Sequence, residues 1–284
     1  MLKDIRDLRD DPEAYAAELE RRWGGLLSYR YIGRNHGSMN LGPEDNTVTL
    51  RRDMRNAAGG LLVAPLSISS PEGNVGSDLE TVPNPVIHSC LILDPAPDVE
   101  RIEVVASEVL HPGSRMGYSR SKIVDADDPG RVIAFTEGQG ARIGTVPEGL
   151  GKMEENKLEI VDSPDLPPLW QVFGASRRAD GHWALPELSV ELASPDAALH
   201  IGPQHIVLET AAIDLASEAA GTDRLQMQSW HVMFMARGKI GPFRVDGEAV
   251  RAPGDRVGVR MVMFDEGNQG RPITSASAAL AIVA

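Results

Sequence analysis

Glu209 is the residue whose surroundings most suggest chemistry. It stands in the stretch 202–220, where Ile206, Leu208, Ala212, Ile213, Leu215 and Ala216 predict a mostly buried helix that ends at the stop signal Gly221. Burial penalises the charged form of a carboxyl, so its pKa rises and it becomes an abler base than an exposed glutamate. Glu209 could serve as general base, as nucleophile, or as a structural hydrogen-bond acceptor for a helix end or the sheet. His205 lies four residues earlier on the same helix face, where it could orient or protonate a substrate or act as a satisfied core histidine. Asp214, further along, reads as a surface acid. Upstream, Asn56 precedes Gly59-Gly60, and the helix read as opening at Gly60 offers unpaired N–H groups that a carbonyl can approach without a Cβ in the way. Asn56 could polarise that carbonyl or cap the loop. Ser67 could hydrogen-bond a ligand, but without a nearby base it is a poor nucleophile. His36, His88 and His231 are scattered, with no His-x-x-x-His or paired-cysteine spacing, so no metal is expected.

The elements that must position these residues occur twice. Val48-Thr49-Leu50 lies over Val190-Glu191-Leu192, and Gly60 over Gly202, both at an offset of 142 residues. Pro112-Gly113-Ser114-Arg115-Met116-Gly117 lies over Pro253-Gly254-Asp255-Arg256-Val257-Gly258 at 141, and Gly130-Arg131 over Gly270-Arg271 at 140. Hairpin turns reuse such residues, but four matches in one order at a nearly constant offset argue for duplication. Each copy predicts a short strand (46–52 or 186–193), a loop, a helix opening at Gly60 or Gly202, and four strands. These fall at 86–93, 102–110, 116–125 and 131–143 in the first copy, and at 225–235, 243–250, 257–264 and 272–283 in the second. A buried helix followed by consecutive antiparallel strands is an α+β architecture, each half a sheet wrapped around a central helix.

The expected organisation is a helical extension over 1–28, a first domain over 29–144, a proline-rich and acidic connector over 145–180, and a second domain over 181–284. Asp11 as N-cap and Pro12 at the first helical position open the extension's helix, with Tyr15, Leu19 and Trp23 on one face, expected to pack on the outside of the first copy. The 284 residues carry a net charge of −13, which argues against a nucleic-acid partner, because phosphate binding needs clustered Lys and Arg. A single cysteine, Cys90, excludes an intrachain disulfide framework and reads as a small buried strand residue. The charged segment 1–7 is unlike a signal peptide and no apolar run reaches membrane-spanning length, so a cytoplasmic protein is expected. No phosphate-binding or dinucleotide motif occurs in a strand-to-helix setting.

Ala58-Gly59-Gly60 with Ser67, and His200-Ile201-Gly202 with Glu209, resemble the His-Gly-Gly-like turn and helix carboxylate of the hot-dog superfamily, in particular the phenylacetate-type acyl-CoA thioesterases. The strand turns at Pro112-Gly113 and the hairpins 125–130 and 265–270 fit the same pattern. The resemblance covers most of both copies and implies a tandem double hot-dog. In such proteins the carboxylate of one helix meets the glycine at the start of the partner helix. The first copy keeps Gly59-Gly60 with Ser67 at the acid position, whereas the second keeps Glu209 with Ile201 at the first glycine. The resemblance therefore implies one complete composite site, Glu209 with Gly59 and Gly60, and a defective one holding Ser67 and Ile201, to which His200 belongs.

The resulting expectation is an acyl-CoA thioesterase that binds an acyl-CoA or another acyl thioester. CoA enters only as part of the substrate, and no cofactor is needed. A non-catalytic acyl-ligand binding protein is the alternative, favoured by the eroded turns, and an enoyl-thioester hydratase is a third reading. One tandem chain already mimics a hot-dog dimer, so further association into a homo-oligomer is optional. The run Trp230-His231-Val232-Met233-Phe234-Met235 could line an acyl tunnel or simply pack the core.

Overall fold

The computed structural model describes residues 2–34, 47–70, 82–113, 115–143 and 158–284. His36, Ser114, residues 145–157 of the expected connector and the stretch that follows residue 70 lie outside the described residues. Two helices open the chain, α1 (Pro12–Gly25) and α2 (Leu27–Ile32). The first half then contributes β1 (Thr47–Thr49), α3 (Val63–Ser69), β2 (Val82–Ile92), β3 (Arg101–Pro112), β4 (Met116–Asp125) and β5 (Val132–Ile143). A short helix α4 (Leu169–Val172) precedes the second half, which comprises β6 (Ser176–Arg177), β7 (Trp183–Leu185), β8 (Ala193–Ser194), β9 (Ala198–Leu199) and α5 (Ile201–Ala220). It ends with β10 (Leu225–Phe234), β11 (Phe243–Ala252), β12 (Arg256–Asp265) and β13 (Arg271–Ile282).

Eleven strands form one antiparallel sheet in the order β1-β3-β4-β5-β2-β10-β13-β12-β11-β7-β6, a near-palindrome centred on the β2–β10 pair. Ser89 of β2 faces His231 of β10, its counterpart at the offset of 142, and the Ser89 hydroxyl lies 2.8 Å from His231 Nδ1. The pseudo-two-fold axis passes between them. Alternation along the strands puts one face inward: His88, Cys90 and Ile92 on β2, and Trp230, Val232 and Phe234 on β10 are buried, while Met233 and Met235 point outward and are exposed. The Trp230-to-Met235 run is thus split between the core and the outer face. Helix α5 packs against β11, β12 and α3, and Gly221 ends it in the left-handed conformation at φ 73°. Duplicated antiparallel sheet around central helices is the α+β arrangement expected. No helix among the described residues is long and apolar enough to cross a membrane.

Three expectations need correction. The short strand that pairs with β11 is Trp183–Leu185, not 186–193, because Ser189 to Ala193 close turns on themselves through Leu192 N–H to Ser189 O and Ala193 N–H to Val190 O. Helix α1 is capped as expected, Asp11 accepting from Ala14 N–H at 3.1 Å, but the extension docks on the second half. There Pro195 O accepts from Ile5 N–H and from Arg22, and Glu191 O accepts from Leu27 N–H.

The third correction is register. The first half's bridge Arg55 to Leu61 and the second half's pairing of Ala193 with Leu199 are both 138 residues apart, and left-handed Gly59 (φ 87°) matches left-handed Ala197 (φ 51°). The helix N-caps Leu62 and His200 share extended angles at the same spacing. Gly202 therefore corresponds to Ala64 and not to Gly60, and Ser67 corresponds to His205. The partner position of Glu209 is 71, outside the described residues. The strands keep an offset near 140, while the loop before the helix differs by about one helical turn.

Candidate functional site

The segment that leads into α3 is built around Asn56. Its Oδ1 accepts from Ala58 N–H (2.9 Å) and Gly60 N–H (3.1 Å), while Gly59 N–H donates to Asn56 O at 2.9 Å. Arg55 pins the turn from outside by donating to Gly59 O, Ala96 O and Val99 O. The Asn56 Nδ2 donates to Gln226 Oε1 at 3.3 Å across the half-to-half boundary. A Cβ on Gly60 would collide with that same Gln226 carboxamide and push it aside, so glycine here lets the β10 side chain reach Asn56. The helix begins three residues after Gly60, at Val63, and the amides of Gly59 and Gly60 are already bonded within the loop. They are not the free donors expected of them.

The free donors are the next ones. The N-cap Leu62 has no side chain able to accept, which leaves the first amides of α3 without a local partner. Glu209, from the middle of α5 in the other half, supplies it: Oε1 accepts from Val63 N–H at 2.6 Å and Oε2 from Ala64 N–H at 2.7 Å. These are short, charge-assisted contacts. The carboxyl is 2% exposed. Burial pushes its pKa up to about 7, against the pull of the two backbone N–H bonds. Both protonation states are consequently accessible near neutral pH, which suits a group that must take and return a proton.

A cavity of about 450 Å³ opens on this carboxyl. The first half contributes Arg52, Asp53, Arg55, Asn56, Leu62 and Ala64, and α5 contributes Ile206, Glu209, Thr210 and Ile213. The remaining wall is Pro164, Leu166, Pro168, Leu169 and Trp170, from the segment between the halves. Of the residues singled out by sequence, Glu209 and Asn56 line this cavity. His205 does not: fully buried, it accepts from Trp230 Nε1 at 3.0 Å and stacks edge-on with His88 and Phe234, and burial lowers its pKa to about 3. It is a neutral core histidine. Ser67 is also fully buried away from the cavity, and its hydroxyl finds no partner among the described residues. Asp214 is half-buried, accepting from Trp183 Nε1 at 3.0 Å and pairing with Arg177. Cys90 is buried, and burial together with the Glu209 charge raises its thiol pKa. Among the described residues no cluster of His, Cys, Asp and Glu could hold a metal ion.

The pseudo-symmetric location, at the start of α5, is filled by the chain itself. His200 caps α5 through its own Nδ1, which accepts from Gly202 N–H at 3.3 Å and lies 3.1 Å from the Ser28 hydroxyl. Tyr29 packs edge-on against the His200 ring at 5.0 Å, and a Cβ on Gly202 would strike Ser28. Burial, with Arg237 and Arg34 nearby, lowers the His200 pKa to about 3, so it caps as a neutral ring. Helix α2 thus occupies the ground that a ligand would need on this side. His200 is a helix cap and does not line the cavity that holds Glu209.

Solved structures similar to this chain include the acyl-CoA thioesterase II TesB2 of Mycobacterium marinum, 15% identical over 87% of this chain and 97% of that one, with a TM-score of 0.56. The tesB protein of Mycobacterium avium subspecies paratuberculosis matches at 14% identity over 87% and 97%, with a TM-score of 0.50. A hot-dog protein of unknown function from Alicyclobacillus acidocaldarius matches at 10% identity over the same shares, also at 0.50. No protein-family model matches the sequence, and no characterised protein matches it by sequence. The chain shares the hot-dog fold of these structures. Likeness at this identity carries the fold and leaves the reaction to be argued from the site.

Proposed function

We propose that this protein is a thioester hydrolase acting on acyl-CoA or another acyl thioester at the composite site between the two halves. The observation that carries the reading is Glu209 itself: a buried carboxyl with a pKa near 7, facing two convergent backbone N–H groups of the other half, at the wall of a largely apolar cavity. Ala64 lines the cavity, so its N–H can pass from Glu209 to the thioester oxygen while Val63 N–H keeps the carboxylate in place. That N–H then stabilises the oxyanion of the transition state. Asn56 is held with Oδ1 toward the loop and one Nδ2 hydrogen toward Gln226, which leaves its other amide hydrogen for the substrate.

Two routes fit this geometry. As base, Glu209 takes a proton from water, the hydroxide oxygen bonds to the carbonyl carbon, the C–S bond breaks, and the proton passes to the departing thiolate. As nucleophile, the carboxylate oxygen itself attacks, the thiolate leaves, and water opens the mixed anhydride. Release of free thiol from a panel of acyl-CoAs tests the reading. Wild-type protein is expected to turn over and Glu209→Ala to lose at least about a hundredfold in kcat/KM, while hydrolysis unchanged in Glu209→Ala would refute it.

The second reading is an acyl-ligand binding protein, favoured by the fact that both Glu209 oxygens are already engaged. Saturable acyl-CoA binding with no thiol released over hours by the wild-type protein would select it.

A further inference from the structure

The wall of the cavity supplied by the segment between the halves is held by contacts independent of the hot-dog sheet pairing. At one end Asp162 accepts from Arg52 N–H (3.0 Å) and Arg52 Nε (3.3 Å), and Leu158 N–H donates to Arg30 O at 3.0 Å. At the other, the Trp170 ring meets Trp183 edge-on at 5.1 Å, and Trp183 Nε1 donates to Asp214 Oδ2 on α5 at 3.0 Å. Along α5 the cavity runs from Ile206 past Glu209 and Thr210 to Ile213, and Ile213 stands one turn, about 6 Å, beyond the carboxyl. Trp170 lines the same cavity and is braced by Trp183, which Asp214, the neighbour of Ile213, holds in turn.

The charged side chains on the cavity wall have partners in the protein itself. Arg55 donates to three carbonyls, Asp53 pairs with Arg51, and Arg52 pairs with Asp162. These charges lie on the Arg52–Asn56 side of the cavity, whereas the residues that share its wall with Trp170 are the apolar Pro164, Leu166, Pro168, Leu169 and Ile213. At about 30 Å³ for each water-sized group, the cavity holds about 15 non-hydrogen atoms. After the carbonyl and sulfur are placed, about 10 to 12 carbons of chain remain.

From this geometry we propose that Trp170 is the specificity-determining residue of the site, closing the cavity to all but apolar acyl groups of short to medium length. The inference rests on the acyl-thioester reading above. Removing the indole leaves Pro168, Leu169 and Ile213 in place and opens the cavity toward Trp183.

Binding of non-hydrolysable alkyl-CoA thioethers, from four to eighteen carbons, measured by calorimetry alongside hydrolysis of the matching acyl-CoAs, tests it. Wild-type affinity is expected to peak at about 8 to 12 carbons. In Trp170→Ala the peak should move about four carbons longer, and in the milder Trp170→Leu about two. Affinity for the sixteen-carbon thioether should rise at least about tenfold in Trp170→Ala. A length profile that stays in place in both variants, with circular dichroism showing them folded, overturns the proposal. If thioethers bind with a cut-off that moves with Trp170 while no acyl-CoA is hydrolysed, the specificity role stands and the hydrolase reading falls. Hydrolysis with an unmoved cut-off leaves the hydrolase reading standing and removes the specificity role.

Discussion

Glu209→Gln separates a proton-accepting carboxyl from a merely space-filling one, and its effect on stability has a pH dependence that follows from the fold. The Glu209 carboxyl titrates at about 7 in the folded protein against an ordinary 4.5. The folded state therefore binds this proton more tightly than the unfolded chain does. Its contribution to stability is fully present below pH 4.5 and is lost as pH rises through 7, a loss of about 3 kcal/mol. Glutamine does not titrate. It puts an NH₂ group where one of the two carboxylate oxygens stood, and the backbone N–H left facing that NH₂ costs about 1–3 kcal/mol at every pH. The stability difference between variant and wild type should accordingly shift by about 3 kcal/mol in favour of glutamine between pH 4.5 and pH 8. Urea unfolding at pH 4.5, 6, 7 and 8 measures it. A difference constant across that range would refute the assignment of a raised pKa to Glu209. At pH 8 the variant is thus about as stable as the wild type, so a loss of hydrolysis of about 10² to 10⁴ there reports lost proton transfer and not unfolding.

Ser67→Ala removes a buried hydroxyl that lies away from the cavity; denaturant titration should show stability equal or up to about 1 kcal/mol higher, with thiol release largely intact. Gly60→Ala forces the Gln226 carboxamide off Asn56 and should cost about 1–3 kcal/mol. Adding Gln226→Ala should recover part of that loss, whereas strictly additive costs in the double variant would place the collision elsewhere. Gly202→Ala drives a methyl into Ser28 and should lower the midpoint of thermal unfolding while leaving the Glu209 cavity's kcat in place; an equal fall in kcat would mean that the two helix starts are coupled.

Runs of β-branched and aromatic residues between turn residues made the strands legible in advance, with the hairpins at 125–130 and 265–270 separating them. The meeting of Glu209 with the helix start of the other half was legible too, because the second half carries its acid at mid-helix. Matching glycine to glycine, however, set Gly60 against Gly202, although each is glycine for its own reason. Gly60 makes room for Gln226, and Gly202 makes room for Ser28. The position common to both halves is the left-handed one, Gly59 in the first and Ala197 in the second, and an alanine there conceals the need. The donors that meet Glu209 are backbone groups of Val63 and Ala64, which leave no mark in residue type. Likewise Tyr15, Leu19 and Trp23 announce an apolar helix face without saying that its partner lies nearly two hundred residues away, beside Pro195.

Binding of a thioester carbonyl between Glu209 and the start of α3 is the step on which the proposed hydrolysis depends. Crystals of the protein soaked with a 2-oxoalkyl-CoA, a ketone that mimics the thioester but cannot be hydrolysed, make that step visible. The ketone oxygen is expected within about 3 Å of Ala64 N–H, with Glu209 retained on Val63 N–H beside the carbonyl carbon and the alkyl chain directed toward Ile213 and Trp170. A bound ketone that leaves both Glu209 contacts undisturbed and places its carbonyl elsewhere would contradict this arrangement.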